Sequence, residues 1–308
     1  MRRLLSLAAV LTVCLWQPAT AQQISDPAAD LSVAAPAFAQ GQGPRLMLDD
    51  GHHNFHTAQG RFAPFAEVMR NDGFVVESSG GPLTAARLAG VRVLVVSNAL
   101  NPANDANWSL PTPSAFTPDE IATIRAWVED GGSLLLIADH MPFAGAAQDL
   151  ARAFGFEFHN GFAQRRPAGG QDIFRLSDGA LKADVVTRGR NAGETVSKVR
   201  TFTGSAFSLP PQARPILVFP KGYRSLEPDV AWEFSGSTPS RDIAGDAQGA
   251  VMILGKGRIA VFGEAAMFTA QLAGPKARPM GFNANGAEQN KQLMLNVMHW
   301  LAGELPAQ

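Results

Sequence analysis

The chain reads as an α/β protein built on a mainly parallel sheet flanked by helices, and three observations predict this. Short apolar runs at residues 46–48, 91–96 (broken only by Arg92) and 134–138 have the character of strands buried on both faces. Segments of helical period lie between them and close at glycines. The 308 residues are 46% hydrophobic and 17% charged, a composition that can bury a core and is neither disordered nor collagen-like.

Taken in order, Met1-Arg2-Arg3, an apolar run over residues 4–16, Pro18 and the small-residue sequence Ala19-Thr20-Ala21 predict a secretory signal over residues 1–21. Its about 13 apolar residues fall short of the roughly 20 that span a bilayer as a helix. The expectation is a periplasmic or secreted protein with no transmembrane segment in the mature chain. The single cysteine, Cys14, falls inside the signal. The mature chain then has no thiol, which excludes a disulfide framework, a thiolate metal site and a cysteine nucleophile. A lipidated Cys14 competes with this reading, but Val13 is bulky where such processing favours a small residue.

Residues 22–43, rich in Ala, Gln, Gly and Pro, read as a flexible leader, and residues 44–304 as a single domain. Phe62, Phe65, Ala66 and Met69 mark a helix that stops at Gly73. Thr117 and Glu120 form a capping box with Pro118 at the first helical position; Ile121, Ile124, Trp127 and Val128 supply the stripe, and Gly131-Gly132 ends it. Leu150, Ala151 and Phe154 suggest a further helix closing at Gly155. Residues 158–247, with short β-like runs such as 216–219 among Gly, Pro and Ser, read as a β/loop-rich insertion laid around the sheet. The runs at 251–254 and 258–262 flank a Gly-Lys-Gly turn and predict a hairpin. In the terminal helix, Asn285 with Glu288 offers a cap, and Leu293, Val297, Trp300 and Leu301 share one face before Gly303.

A net charge of −1 argues against nucleic acid as a partner, because binding it requires clustered Lys and Arg to displace counterions. Residues 160–225 are locally basic; they either wall a cleft for an anionic ligand or form a solvated surface. The Gly-Lys-Gly turn lacks the rest of a P-loop, and no GxGxxG follows the first strand.

Ligands of open parallel α/β sheets bind beyond the carboxyl ends of the strands, and three such ends are polar. The first strand runs into Asp50, His52, His53 and His56, the third into Asp139-His140, and a late strand into Glu264. Imidazole and carboxylate groups are ligands for zinc and similar divalent ions, and they are also acids and bases near neutral pH. Asp50, His52, His53 and His56 are the candidate metal ligands, with His52 and His56 at i, i+4. Asp139, His140 and Glu264 are the candidate catalytic groups. The plainer alternatives are that Asp50 or Asn54 caps a helix, that the histidines satisfy backbone groups, and that Glu264 is a buried acid bonded to amides. His159 and His299 read as satisfied histidines.

The sequences WVEDGG and LLLIADH, the block QGAVMILGKGRIAVFGEAAMF and the tail NKQLMLNVMHWLAG together resemble exported proteins with a class I glutamine amidotransferase-like domain, the group labelled DUF4350. The resemblance covers most of residues 45–303 and implies a flavodoxin-like sandwich. Amidotransferases of this fold place a cysteine at a strand-to-helix elbow and take a histidine and a glutamate from a later strand. Here the corresponding elbow is Ala138-Asp139-His140, and the late strand offers Gly263-Glu264 without a histidine. Lacking the thiol, the chain cannot hydrolyse glutamine through a thioester. The ThuA-like branch, linked to sugar utilisation, also lacks that cysteine. That branch offers an analogy toward saccharides, but the resemblance itself implies no activity. The strand-end His/Asp/Glu residues lead to the expectation of a site for a small molecule or glycan in a metal-assisted hydrolase, the alternative being a non-catalytic binding module of the cell envelope.

Overall fold

The computed structural model describes residues 23–168 and 171–308. The expected signal over residues 1–21 lies outside the described residues. The chain runs through β1 (Gln23–Ser25), β2 (Arg45–Leu48), α1 (Ala63–Asn71), β3 (Val75–Ser78), α2 (Ala85–Leu88), β4 (Val93–Ser97), α3 (Pro118–Glu129) and β5 (Ser133–Ile137). Next come α4 (Phe143–Ala146), α5 (Gln148–Arg152), β6 (Glu157–Phe158), β7 (Phe162–Arg165), β8 (Asp172–Arg175), α6 (Val185–Arg188), β9 (Lys198–Thr201), β10 (Phe207–Ser208) and β11 (Arg214–Val218). It ends with β12 (Tyr223–Leu226), β13 (Ser240–Asp242), β14 (Ala247–Leu254), β15 (Gly257–Phe262), β16 (Ala270–Ala273), β17 (Arg278–Gly281) and α7 (Asn290–Ala302).

The main sheet has the order β3-β2-β4-β5-β15-β14-β10-β6, with β11 also paired to β14. Its first five strands are mutually parallel, as the apolar runs predict. Pleating sends alternate residues to opposite faces. Leu135 and Ile137 join α1 and α7 in one core, while Leu134 and Leu136 join Ile124 and Val128 of α3 in the other. The capping box forms: Thr117 Oγ1 accepts the Glu120 amide at 3.3 Å, and Glu120 accepts the Thr117 amide at 3.0 Å.

The expected hairpin joins β14 to β15, and beyond it the sheet becomes antiparallel. β14 is buried over its first six residues, so its outer edge needs further strands. Part of the segment expected to lie around the sheet instead extends it: β10 and β11 pair with β14, and β6 pairs with β10. The remainder makes two small sheets, β13-β12-β7 and β8-β9.

Three local expectations differ from the structure. The helix expected to close at Gly155 is two short helices, α4 and α5. Residues 23–43, expected to form a flexible leader, lie against the body: β1 pairs with β16, the Ala37 amide bonds Asp72 at 2.8 Å, and Phe38 meets Phe74 edge-on at 5.1 Å. The Asp72 carboxylate is buried and takes a further bond from His299, so the segment supplies a partner that the interior requires. Helix α7 starts without a side-chain cap. Glu288 bonds Gly286 and Lys198 instead, and Gln289 and Asn290 bond the backbone of residues 197–200, so the start of this helix docks β9. No helix among the described residues is long and apolar enough to cross a membrane.

Trp300 of α7 is fully buried in the larger core. Trp300→Ala is expected to cost about 3–5 kcal/mol in denaturant unfolding, against about 1 kcal/mol for Thr117→Ala. Equal midpoints for the two variants would contradict this packing.

Candidate functional site

The parallel ladder makes the strand ends level. The Asp49 amide bonds Val95 at 2.8 Å, the Asn98 amide bonds Ile137 at 2.9 Å, and the Ala138 amide bonds Phe262 at 2.9 Å. Asp49-Asp50, Asn98, Asp139-His140 and Glu264 therefore leave β2, β4, β5 and β15 along one edge of the sheet. Their side chains then enter separate environments.

His52 is clamped between two carboxylates. Its Nδ1 lies 2.9 Å from both Asp49 oxygens, and its Nε2 lies 3.0 Å from Glu120 Oε1. Both nitrogens face acceptors, so both donate and the ring is an imidazolium. Burial opposes that charge, but Asp49 and then Glu120 outweigh it and raise the His52 pKa. Glu120 itself falls to about 2: burial pushes it up, and the bonds from Thr117, Leu83 and His52 overcome that. The clamp ties the end of β2 to the start of α3. It leaves no lone pair for a metal.

The other candidate ligands point elsewhere. Asp50 accepts the Gly80 amide at 2.7 Å and the Ser79 hydroxyl at 3.0 Å. His53 is exposed and lies 3.3 Å from Asp105. His56 is buried, 3.1 Å from Gln271, and its Nδ1 has no partner. Burial, with the nearby Arg61 and His140, lowers its pKa to about 3. Residues 52–56 are not helical, so the i, i+4 spacing does not align His52 with His56. No group of three or more His, Cys, Asp or Glu side chains among the described residues is placed to hold a metal ion. Asp50, His52, His53 and His56 form no shell.

Asp139 and His140 stay together at the elbow. The Asn98 side chain accepts the Asp139 amide at 2.9 Å, and Asp139 Oδ1 accepts the His140 amide at 2.8 Å. His140 Nδ1 donates to the Met141 carbonyl at 2.6 Å, which leaves Nε2 of the neutral ring as the acceptor. The ring stacks on Phe162 at 4.5 Å and 13°, meets Trp232 edge-on at 4.7 Å, and lies near Phe143 and Trp108. Trp232 is 51% exposed, so this aromatic group reaches the surface.

Glu264 does not join that group. It is fully buried, and its two oxygens accept the Ala266 and Met267 amides at 2.8 and 2.9 Å. Burial first, then the Asp139 carboxylate, push its carboxyl well above the ordinary range. The amide-bonded alternative weighed for this residue is the arrangement present.

Among the described residues, five non-glycine residues have left-handed φ, and four of them belong to this edge: His53 (+47°) and Asn98 (+50°) follow its strands, Thr203 (+93°) precedes Gly204, which lies against Gly263, and Trp232 (+70°) touches His140. Such conformations gather at functional sites. Asp49, Glu120, Asn98, Trp108, Phe162 and Trp232 are not among the site residues the sequence points to. Asp49 adjoins Asp50 and is legible as a second strand-end acid; Glu120 reads only as a cap. The aromatic partners come from remote loops with no local signal.

These features define an α/β protein with a mixed sheet, a polar and aromatic strand-end face, and no cysteine after Cys14. No family model matches the chain, and no curated protein matches it. Among solved structures, it is similar to the mmIFT52 N-terminal domain (14% identity, TM-score 0.59, 83% of this chain and 97% of that one). It is also similar to a cytoplasmic protein from Salmonella typhimurium (11% identity, TM-score 0.50, 83% and 98%). A Bacteroides uniformis protein described as ThuA-like matches at 12% identity and TM-score 0.48, covering 92% and 98%. Likeness at these identities concerns the fold alone.

His52 and His56 give opposite pH dependences. With its pKa raised, His52 contributes stability below its unfolded value near 6.5, and loses it as pH rises through the folded value. His56, with its pKa lowered, contributes stability above about 6.5 and loses it as pH falls toward about 3. His52→Gln should flatten the alkaline limb of the stability profile, and His56→Gln the acid limb, in urea midpoints measured across pH. The same flattening in both variants would refute the assignment.

Proposed function

We propose that this chain is a flavodoxin-like, amidotransferase-like domain that binds a small neutral saccharide at the carboxyl edge of its sheet and carries out no thiol chemistry. The order β3-β2-β4-β5-β15, in chain order 2-1-3-4-5, supports the flavodoxin-like part. The observation that carries the binding reading is the His140 ring, whose Nδ1 is committed to a backbone carbonyl, lying among Phe162, Trp232, Phe143 and Trp108 beside the Asp139 carboxylate. The exposed Trp232 ring suits the C–H face of a sugar ring, while Phe162 and Phe143 are buried and support His140 from within. His140 Nε2 and the remaining Asp139 lone pairs suit the sugar's hydroxyl donors.

One observation favours the hydrolase alternative, the raised carboxyl of Glu264 beside Asp139. Its oxygens already accept two backbone amides away from solvent, so binding is the better supported reading. Export to the periplasm or beyond belongs to the same proposal and rests on the residue 1–21 pattern.

Tryptophan fluorescence and calorimetric titration with a panel of neutral mono- and disaccharides test this. At least one member should bind, with affinity falling about tenfold, or about 1.4 kcal/mol, in both Trp232→Ala and His140→Ala. Binding unaltered by both variants, or no binding across the panel, contradicts the proposal.

A further inference from the structure

Three hollows adjoin on the surface beside this site. The first, of about 690 Å³, is formed by the 228–239 loop that carries Trp232. The second, of about 590 Å³, shares Pro228, Asp229 and Pro239 with the first and reaches Arg152 and Asn160. The third, of about 340 Å³, shares Arg152 and Asn160 with the second and extends to Thr112. Neighbouring hollows share lining residues, so the three follow one another from Trp232 to Thr112 and together form the candidate groove. The Trp232 end is preformed: the Leu110 amide bonds Asp229, and the Ala231 amide bonds Trp108, each at 2.8 Å.

We propose that this groove binds an extended neutral oligosaccharide, several sugar units long, with one unit at Trp232. The inference rests on the saccharide reading of the Trp232–His140 site and adds the length of its ligand. Arg152 pairs with Glu157 at 3.0 Å, and Arg241 with Glu227 at 2.5 Å, so the groove's arginines are already compensated. Asp149, Asp229 and Glu233 add further acceptors. That balance repels a polyanion and offers hydroxyl groups both acceptors and planar donor forks. A peptide added as a strand to the β6 edge is disfavoured, because the Phe158 amide is already given to the Gln148 side chain at 2.8 Å.

The test is titration of the full chain with neutral α- and β-linked glucan oligomers from monomer to hexamer, at low and high salt. Affinity should rise at least tenfold with length for one linkage and be nearly independent of salt. The surface variants Glu157→Ala and Arg241→Ala should remove that gain and keep monomer binding, whereas Trp232→Ala should weaken every length. Monomer binding with no gain from length overturns the groove and leaves the Trp232 site standing. A length gain that survives Trp232→Ala but is lost in Arg241→Ala overturns the Trp232 site and leaves the groove. No binding at any length, or a gain abolished by salt, overturns the groove.

Discussion

The parallel register of β5 between β4 and β15 is the constraint on which the rest of the molecule depends. Val93 to Ser97 pair one by one with Ser133 to Ile137, and these in turn with Arg258 to Phe262. With every strand residue of β4 and β5 buried, a slip of one residue would exchange the two cores, so burial fixes the register. The register then dictates that Asp139 and His140 leave the sheet in its middle, level with Asn98 and next to Gly263. The backbone amides there are satisfied by side chains, Asn98 for Asp139 and Glu264 for the turn that follows β15.

Histidines near this edge show how neighbours decide chemistry for one residue type. His52 has a carboxylate on each side and is held as a cation. His56, a few residues on, lies among apolar rings beside Arg61 and is held neutral. His140 is fixed by a carbonyl at Nδ1 and by stacking on Phe162 beside the half-exposed Trp232. Spacing along the chain distinguishes none of these, because beside its local partner each has a remote one: Glu120 for His52, Gln271 for His56, and Phe162 and Trp232 for His140.

Legibility in the sequence follows the same division. The parallel strands, the capped helix α3 and the β14–β15 hairpin depend on local apolar runs, a Thr-x-x-Glu pattern and a glycine turn, and each is present. The outer end of the antiparallel half is hidden because β6 and β10 are two residues long, too short for a period to register, and the run at 216–219 does not show that β11 pairs with β14. The strand-end acids and histidines were visible as a cluster, but not their separation: Asp49 and Glu120 take His52 away from any metal shell, and the Ala266 and Met267 amides take Glu264 inward. Trp232 was invisible as a site residue, since a loop tryptophan carries no signal of what it touches.

The direct measurement is nitrogen NMR of the imidazoles in the full chain at alkaline pH, where the rings open to solvent are neutral, with and without added saccharide. The account requires His140 to carry its proton on Nδ1 and its Nε2 resonance to move as ligand is added, while the His56 signals stay fixed. A proton on Nε2 of His140, or a His140 spectrum indifferent to every saccharide offered, would contradict it.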